Sequence, residues 1–176
     1  MKELPTRKSI RLKKYDYSGA GAYFVTICVK DRHKLLGEVV VGDDSHIVPP
    51  KVSHSEYGRI VDQFIKNITA AYKGVFVDKY IVMPNHIHII LVLENKKNES
   101  NATAGESGTM WASSPTMAIP TIVRSLKILV AKKCGFSFWQ RSYHDHIIRN
   151  EEEYLRIAQY IDENPARWQD DCYYTK

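Results

Sequence analysis

The stretch Val75–Glu94, VFVDKYIVMPNHIHIILVLE, decides the fold. It contains two runs rich in β-branched and aromatic residues, VFVDKYIVMP and HIHIILVLE, broken at Pro84-Asn85. Such runs read as strands, and the break reads as the turn that joins them. Side chains alternate along a strand, so His86, His88, Ile90 and Val92 share one face and Ile87, Ile89 and Leu91 the other. Apolar residues on both faces predict a central strand, covered above and below.

Working outward, SHSEYGRIVDQFIKNITAAYKG (Ser53–Gly74) predicts a helix. Ser53 and Glu56 match a capping box. Tyr57, Ile60, Val61, Phe64, Ile65, Ile68 and Tyr72 recur at helical spacing, and Gly74 closes the helix. Before it, AYFVTICVK (Ala22–Lys30) reads as a strand, with LLGEVVVG (Leu35–Gly42) as its hairpin partner. Residues 1–21 look irregular and end in SGAG. On the other side, Asn95–Met117 is polar and without period, which predicts a long mobile loop. Pro120 opens a helix whose apolar side is Ile122, Val123, Leu126, Leu129 and Val130, ending at Gly135. FSFWQRSYHDHIIR has strand character from Phe136 onward, and Glu151–Asn164 is a last helix stopped by Pro165. The order is that of a single α+β domain over 1–176, with a ferredoxin-like antiparallel sheet, packed helices and one further helix at the C-terminus.

With 176 residues, 44% hydrophobic and 26% charged, the composition is that of a globular chain. No apolar run has the length of a membrane span, and no signal-peptide pattern follows the basic start. These features predict a cytoplasmic protein with no membrane partner. Cys28, Cys134 and Cys172 lack the spacing of a zinc or redox site and read as free thiols. A net charge of +5 permits a nucleic-acid partner without establishing one. The basic residues cluster at Arg7–Lys14 and at Arg124, Lys127, Lys132 and Lys133.

Two constellations carry chemistry. His86 and His88 point the same way from one strand and can share a metal ion. In the last helix Tyr154, Ile157, Ala158 and Ile161 form the apolar stripe. Tyr160 leaves that stripe and aligns with Asn164 one turn on. A phenol, with a pKa of about 10, is a weak nucleophile at neutral pH, unless a metal polarises the phosphate it attacks. Two imidazoles and an amide oxygen would leave Mg²⁺ or Mn²⁺ with open positions.

MPNHIHII (Met83–Ile90) resembles the His-hydrophobe-His motif of nucleases that cut single-stranded DNA through a tyrosine. FWQRSYHDHIIRNEEEYLRIAQYIDENPARW (Phe138–Trp168) resembles the C-terminal signature of the REP-associated tyrosine transposases, H-x-I-R-N, a helix, then Y-I-x-x-N-P. AYFVTICVKDRHKLLGEV is similar to their first hairpin. The resemblance implies cleavage and rejoining of single-stranded or hairpin DNA, such as repetitive palindromic elements, through a 5′-phosphotyrosine. It implies His86 and His88 as ligands of Mg²⁺ or Mn²⁺ and Tyr160 as nucleophile, with the chain acting as monomer or homodimer. Asn164 stands where many relatives carry a glutamine as third ligand, and its amide is one methylene shorter. Arg141, His146 and Arg149, inside the signature, and Arg124 and Lys127 of the basic cluster are the expected DNA contacts.

Two other readings stay open on the residues alone. One is a module of the same fold that binds nucleic acid without cutting it. The other is a metal-dependent phosphoesterase, for which Asp78 would be the nearby acidic ligand. Trp139 and Trp111 could stack on bases, although Trp139 also suits a core.

Overall fold

The computed structural model describes residues 19–41, 49–94 and 119–175. The Asn95–Met117 stretch, the Arg7–Lys14 cluster and Trp111 lie outside the described residues. The elements in chain order are β1 (Gly21–Cys28), β2 (Gly37–Val40), β3 (Lys51–His54), α1 (Glu56–Lys66), α2 (Ile68–Ala71), β4 (Val75–Val82), β5 (His86–Leu93), α3 (Ile119–Cys134), β6 (His144–Ile148) and α4 (Glu151–Glu163).

Strands β4, β5, β1 and β6 form one sheet in that order, and every neighbouring pair is antiparallel. Taken with α1 between β1 and β4 and α3 between β5 and β6, this is the ferredoxin-like arrangement the sequence predicts. β5 is central. Its odd-numbered residues Ile87, Ile89 and Leu91 bury with Tyr23, Val25 and Ile27 of β1 against α1 and α3, which contribute Val61, Ile65, Ile122, Val123 and Leu126. On the opposite face Ile90 and Ile148 pack with Ile157, Ala158 and Ile161 of α4. The C-terminal helix therefore covers the face that carries the two histidines.

Several local expectations are corrected. LLGEVVVG is not the hairpin partner of β1. Only Gly37–Val40 is strand, and it pairs with Lys51–His54 in a separate two-stranded sheet. The reason is that both edges of β1 are already taken, by β5 and β6. Ser53 consequently lies in β3 and forms no capping box with Glu56. Ser55 caps α1 instead, its hydroxyl accepting from the Gly58 amide at 3.1 Å and donating to the Leu35 carbonyl at 2.7 Å. Gly58 is required by close approach: a Cβ there would sit 1.9 Å from the Leu36 carbonyl oxygen. The predicted long helix is interrupted at Asn67. Leu129 is 47% exposed, so the buried side of α3 is Ile119, Ile122, Val123, Leu126 and Val130. Among the described residues the only ladder contact between Phe136 and Tyr143 is a bridge from Trp139 to Val29. Trp139 is buried, as a core residue is. Among the described residues no helix is long and apolar enough to cross a membrane.

Candidate functional site

The register of β1 and β5 sets the first half of the site. Thr26 lies opposite His88 and Cys28 opposite His86. Both imidazoles are buried, at 0% and 1% exposure, and their Nε2 atoms approach to 2.9 Å. The other ring nitrogens have partners: His86 Nδ1 lies 2.9 Å from Asn85 Oδ1, and His88 Nδ1 lies 2.8 Å from Thr26 Oγ1. Asn85 Nδ2 donates to the carbonyls of Arg32 and Tyr173 at 3.2 and 2.8 Å, which orients Oδ1 toward His86. With both Nδ1 atoms so engaged, the Nε2 atoms converge on one point, as ligating histidines do. Two nitrogens bonded at a right angle to a cation, each at about 2.1 Å, would sit about 3 Å apart. The observed spacing fits a shared ion.

Burial pushes the pKa of His86 down to about 4; the nearby Asp171 opposes the shift and Arg32 adds to it. Burial, reinforced by His86, holds His88 well below the usual histidine range. Both rings are thus neutral, and able to ligate, at pH 7. The sign for stability follows by linkage. An unfolded chain protonates His86 near 6.5 and the folded one only near 4, so stability is full above 6.5 and declines as pH falls toward 4. Melting temperatures in a chelating buffer should fall over that window, and His86→Gln should flatten the decline. An unchanged slope in the variant would assign the acid sensitivity to other groups.

Helix α4 supplies the second half. Asn150 caps it, accepting from the Glu153 amide at 2.8 Å. Ile157, Ala158 and Ile161 face the sheet, while Tyr160 is 37% exposed. The Tyr160 hydroxyl lies 3.2 Å from His88 Nε2 and donates to Asp171 Oδ2 at 2.9 Å. Burial and the Asp171 carboxylate push its pKa above the ordinary phenol value, so the phenol is protonated at rest. Asn164, at 1% exposure, donates from Nδ2 to Asp171 Oδ2 at 2.6 Å. Its Oδ1 is buried with no hydrogen-bond partner among the described residues. Such an orphaned buried oxygen is of the kind that a water or an ion satisfies.

Asp171 is the residue that sequence reading missed. Among the described residues His86, His88 and Asp171 form a group able to hold a metal ion, with ligand atoms within 4.8 Å of one another. A short 3-10 turn at Trp168–Asp170 brings the chain back over the site. The buried Trp168 ring lies 5.9 Å from that of His86, and the Tyr173 ring lies 4.6 Å from it. The only signal in the sequence is a pair of carboxylates in QDDCYY, beyond the last periodic element. Asp78 does not join the group: its carboxylate accepts from the Tyr154 hydroxyl at 2.7 Å.

The other expected residues lie elsewhere. His146 Nε2 is 2.7 Å from Glu153 Oε1, and the Arg149 amide donates to Glu153 Oε2 at 2.8 Å. Lys127 donates to the carbonyls of Gln140 and Ser142 at 2.9 and 3.0 Å, engaged within the fold. Arg124 and Arg141 are exposed, Arg124 on a helix packed across the sheet from Tyr160. An open cleft of about 420 Å³ borders Tyr160, lined in part by Arg156, Asn164, Arg167 and Asp171.

No known family model matches the chain. An uncharacterized protein of Haemophilus influenzae is 38% identical over 175 residues, covering 96% of this chain and 93% of its own. The two chains belong to one family. Among solved structures, a REP-associated tyrosine transposase bound to a REP hairpin superposes with a TM-score of 0.59 at 18% identity, over 90% of this chain and 74% of that one. The chain has the fold of that transposase, as the resemblance in its C-terminal signature implies.

Proposed function

We propose that the protein cleaves and rejoins single-stranded or hairpin DNA with Tyr160 as nucleophile and a divalent ion, Mg²⁺ or Mn²⁺, held at His86 and His88. The observation that carries this reading is the meeting of the two constellations: the Tyr160 hydroxyl, on a helix seventy-two residues away in sequence, lies 3.2 Å from His88 Nε2. A bound ion would polarise the scissile phosphate. The residues do the rest. The β-sheet holds the imidazoles rigid and neutral. α4 holds the phenol at the border of an open cleft, where a flexible strand can present a phosphodiester in line. The phenolic oxygen bonds to phosphorus, the bond from phosphorus to the 3′ oxygen breaks, the phenolic proton is lost and the 3′ oxygen gains one. The product is a 5′-phosphotyrosine and a free 3′ hydroxyl, and reversal with a second 3′ end rejoins the strand. The fold shared with a transposase bound to a REP hairpin supports a palindromic substrate, and a cytoplasmic setting suits such a substrate.

The test is a hairpin-bearing single strand labelled at its 3′ end. With Mn²⁺ or Mg²⁺ the label should move onto the protein while the unlabelled fragment ends in a 3′ hydroxyl. With excess chelator, or with blunt duplex, it should not. Full cleavage in chelator would remove the two-histidine ion from the mechanism, and binding without cleavage under every condition would favour a non-cleaving module.

A further inference from the structure

Two neutral imidazoles bring no charge to a buried dication, and an amide brings none either. A divalent ion beside residues exposed by 1% or less needs an anionic partner to offset its desolvation. Among the described residues one carboxylate, that of Asp171, places an oxygen within 4.8 Å of a nitrogen of each ring. It comes from beyond α4, outside the pattern Y-I-x-x-N-P, whose neutral Asn164 amide brings no charge.

We propose that Asp171 is the third protein ligand of the metal centre and that Asn164 is its positioning residue. This rests on the metal-dependent reading above. The hydrogen bonds form a consistent set in which each ligand is held by a neighbouring side chain. Asn85 Oδ1 stands behind His86 Nδ1 at 2.9 Å. Thr26 Oγ1 stands behind His88 Nδ1 at 2.8 Å. Asn164 Nδ2 holds Asp171 Oδ2 at 2.6 Å. Ligating carboxylates are themselves hydrogen-bonded in this way. The Tyr173 amide fixes the second oxygen, Oδ1, at 2.7 Å, so the carboxylate is held from both ends. The segment that carries it is also anchored: Asn85 Nδ2 donates to the Tyr173 carbonyl at 2.8 Å, and the Thr175 hydroxyl donates to the Arg32 carbonyl at 3.2 Å. Asn164, with Nδ2 committed to Asp171, acts on the ion through that carboxylate. The same carboxylate accepts from the Tyr160 phenol at 2.9 Å, so one side chain ties the ion to the nucleophile.

The test is calorimetric titration of the full chain with Mn²⁺ alone, without DNA. Wild type should bind one ion, and His88→Ala should abolish it; if wild type binds none, the metal-dependent reading fails and this proposal with it. Asp171→Asn keeps the size of the side chain and an acceptor oxygen but removes the charge. It should weaken binding about 100-fold, whereas Asn164→Ala should weaken it about 10-fold, in the range for a lost supporting partner. Asn164→Gln, which restores an amide, should recover part of that loss. Asp171→Asn binding within twofold of wild type, or Asn164→Ala costing more than Asp171→Asn, overturns the assignment while leaving the two-histidine site intact. Should Asp171→Asn fail to fold, pulsed electron paramagnetic resonance of the Mn²⁺-loaded wild type decides. Protein grown with [4-¹³C]aspartate and unlabelled asparagine should show carbon hyperfine coupling from a bound carboxylate. Absence of that coupling overturns the proposal.

Discussion

Tyr160→Phe should lower DNA cleavage by on the order of 10⁴-fold or more, the scale seen when a covalent nucleophile is removed, and should abolish the covalent adduct. The substitution deletes one oxygen and keeps the ring. That ring packs edge-on to Phe24, with centroids 6.3 Å apart, and lies 5.1 Å from the His88 ring. Asp171 Oδ2 loses the phenol but keeps the Asn164 donor. Stability should therefore fall by only about 1 kcal/mol, the net worth of one partly exposed hydrogen bond, and DNA binding should persist. The structure also names the proper controls. Tyr154 is engaged with Asp78, so Tyr154→Phe should still form the adduct. Tyr173 is the nearer rival, its ring 4.6 Å from that of His86. Peptide mass spectrometry of the trapped adduct separates these. A DNA-modified Tyr143, Tyr154, Tyr173 or Tyr174 in place of Tyr160, or cleavage that leaves no adduct, would falsify the assignment.

His88→Ala should eliminate Mn²⁺ binding at micromolar protein and, with it, cleavage. The loss should exceed the roughly 10- to 100-fold cost of removing a supporting partner, because the side chain supplies one of two converging nitrogens. It also takes away the ring stacked on Phe24 at 5.1 Å and the partner of the buried Thr26 hydroxyl. Losing a buried hydrogen bond costs about 1 kcal/mol, so folding must be measured separately in chelator. His146→Ala is the informative control. His144 and His146 repeat the spacing of His86 and His88, yet His146 is paired with Glu153 and lies outside the His86–His88–Asp171 group. Metal affinity should be unchanged there. Equal losses at His88 and His146 would mean that the ion binds diffusely rather than at the paired nitrogens.

Much of the architecture was legible in the chain because its signals are local. Alternation along His86–Leu93 predicted a strand with two buried faces, and both faces are buried. The spacing of α4 separated Tyr160 from Ile157, Ala158 and Ile161, and the structure leaves Tyr160 partly exposed while burying the other three. The errors arose where local pattern competed with partner availability. GEVV has strand propensity whatever it pairs with, and its partner was decided by β5 and β6 occupying both edges of β1. Ser53 and His54 read as the start of a helix until β2 claims them.

What the sequence determined by itself is therefore periodic: the strand that presents two histidines on one face, the helix that lifts one tyrosine off its apolar stripe, and the order of elements that makes the sheet antiparallel. What only the tertiary structure decided is convergence. Nothing in the spacing of residues places the Tyr160 hydroxyl 3.2 Å from His88, or an aspartate of the aperiodic C-terminal segment beside both imidazoles. Periodicity reports which way a side chain leaves its own backbone. Distance between elements is set by packing, here by α4 docking through Ile157, Ala158 and Ile161 onto Ile90 and Ile148, and by the turn at Trp168–Asp170 that folds the chain back across the histidines.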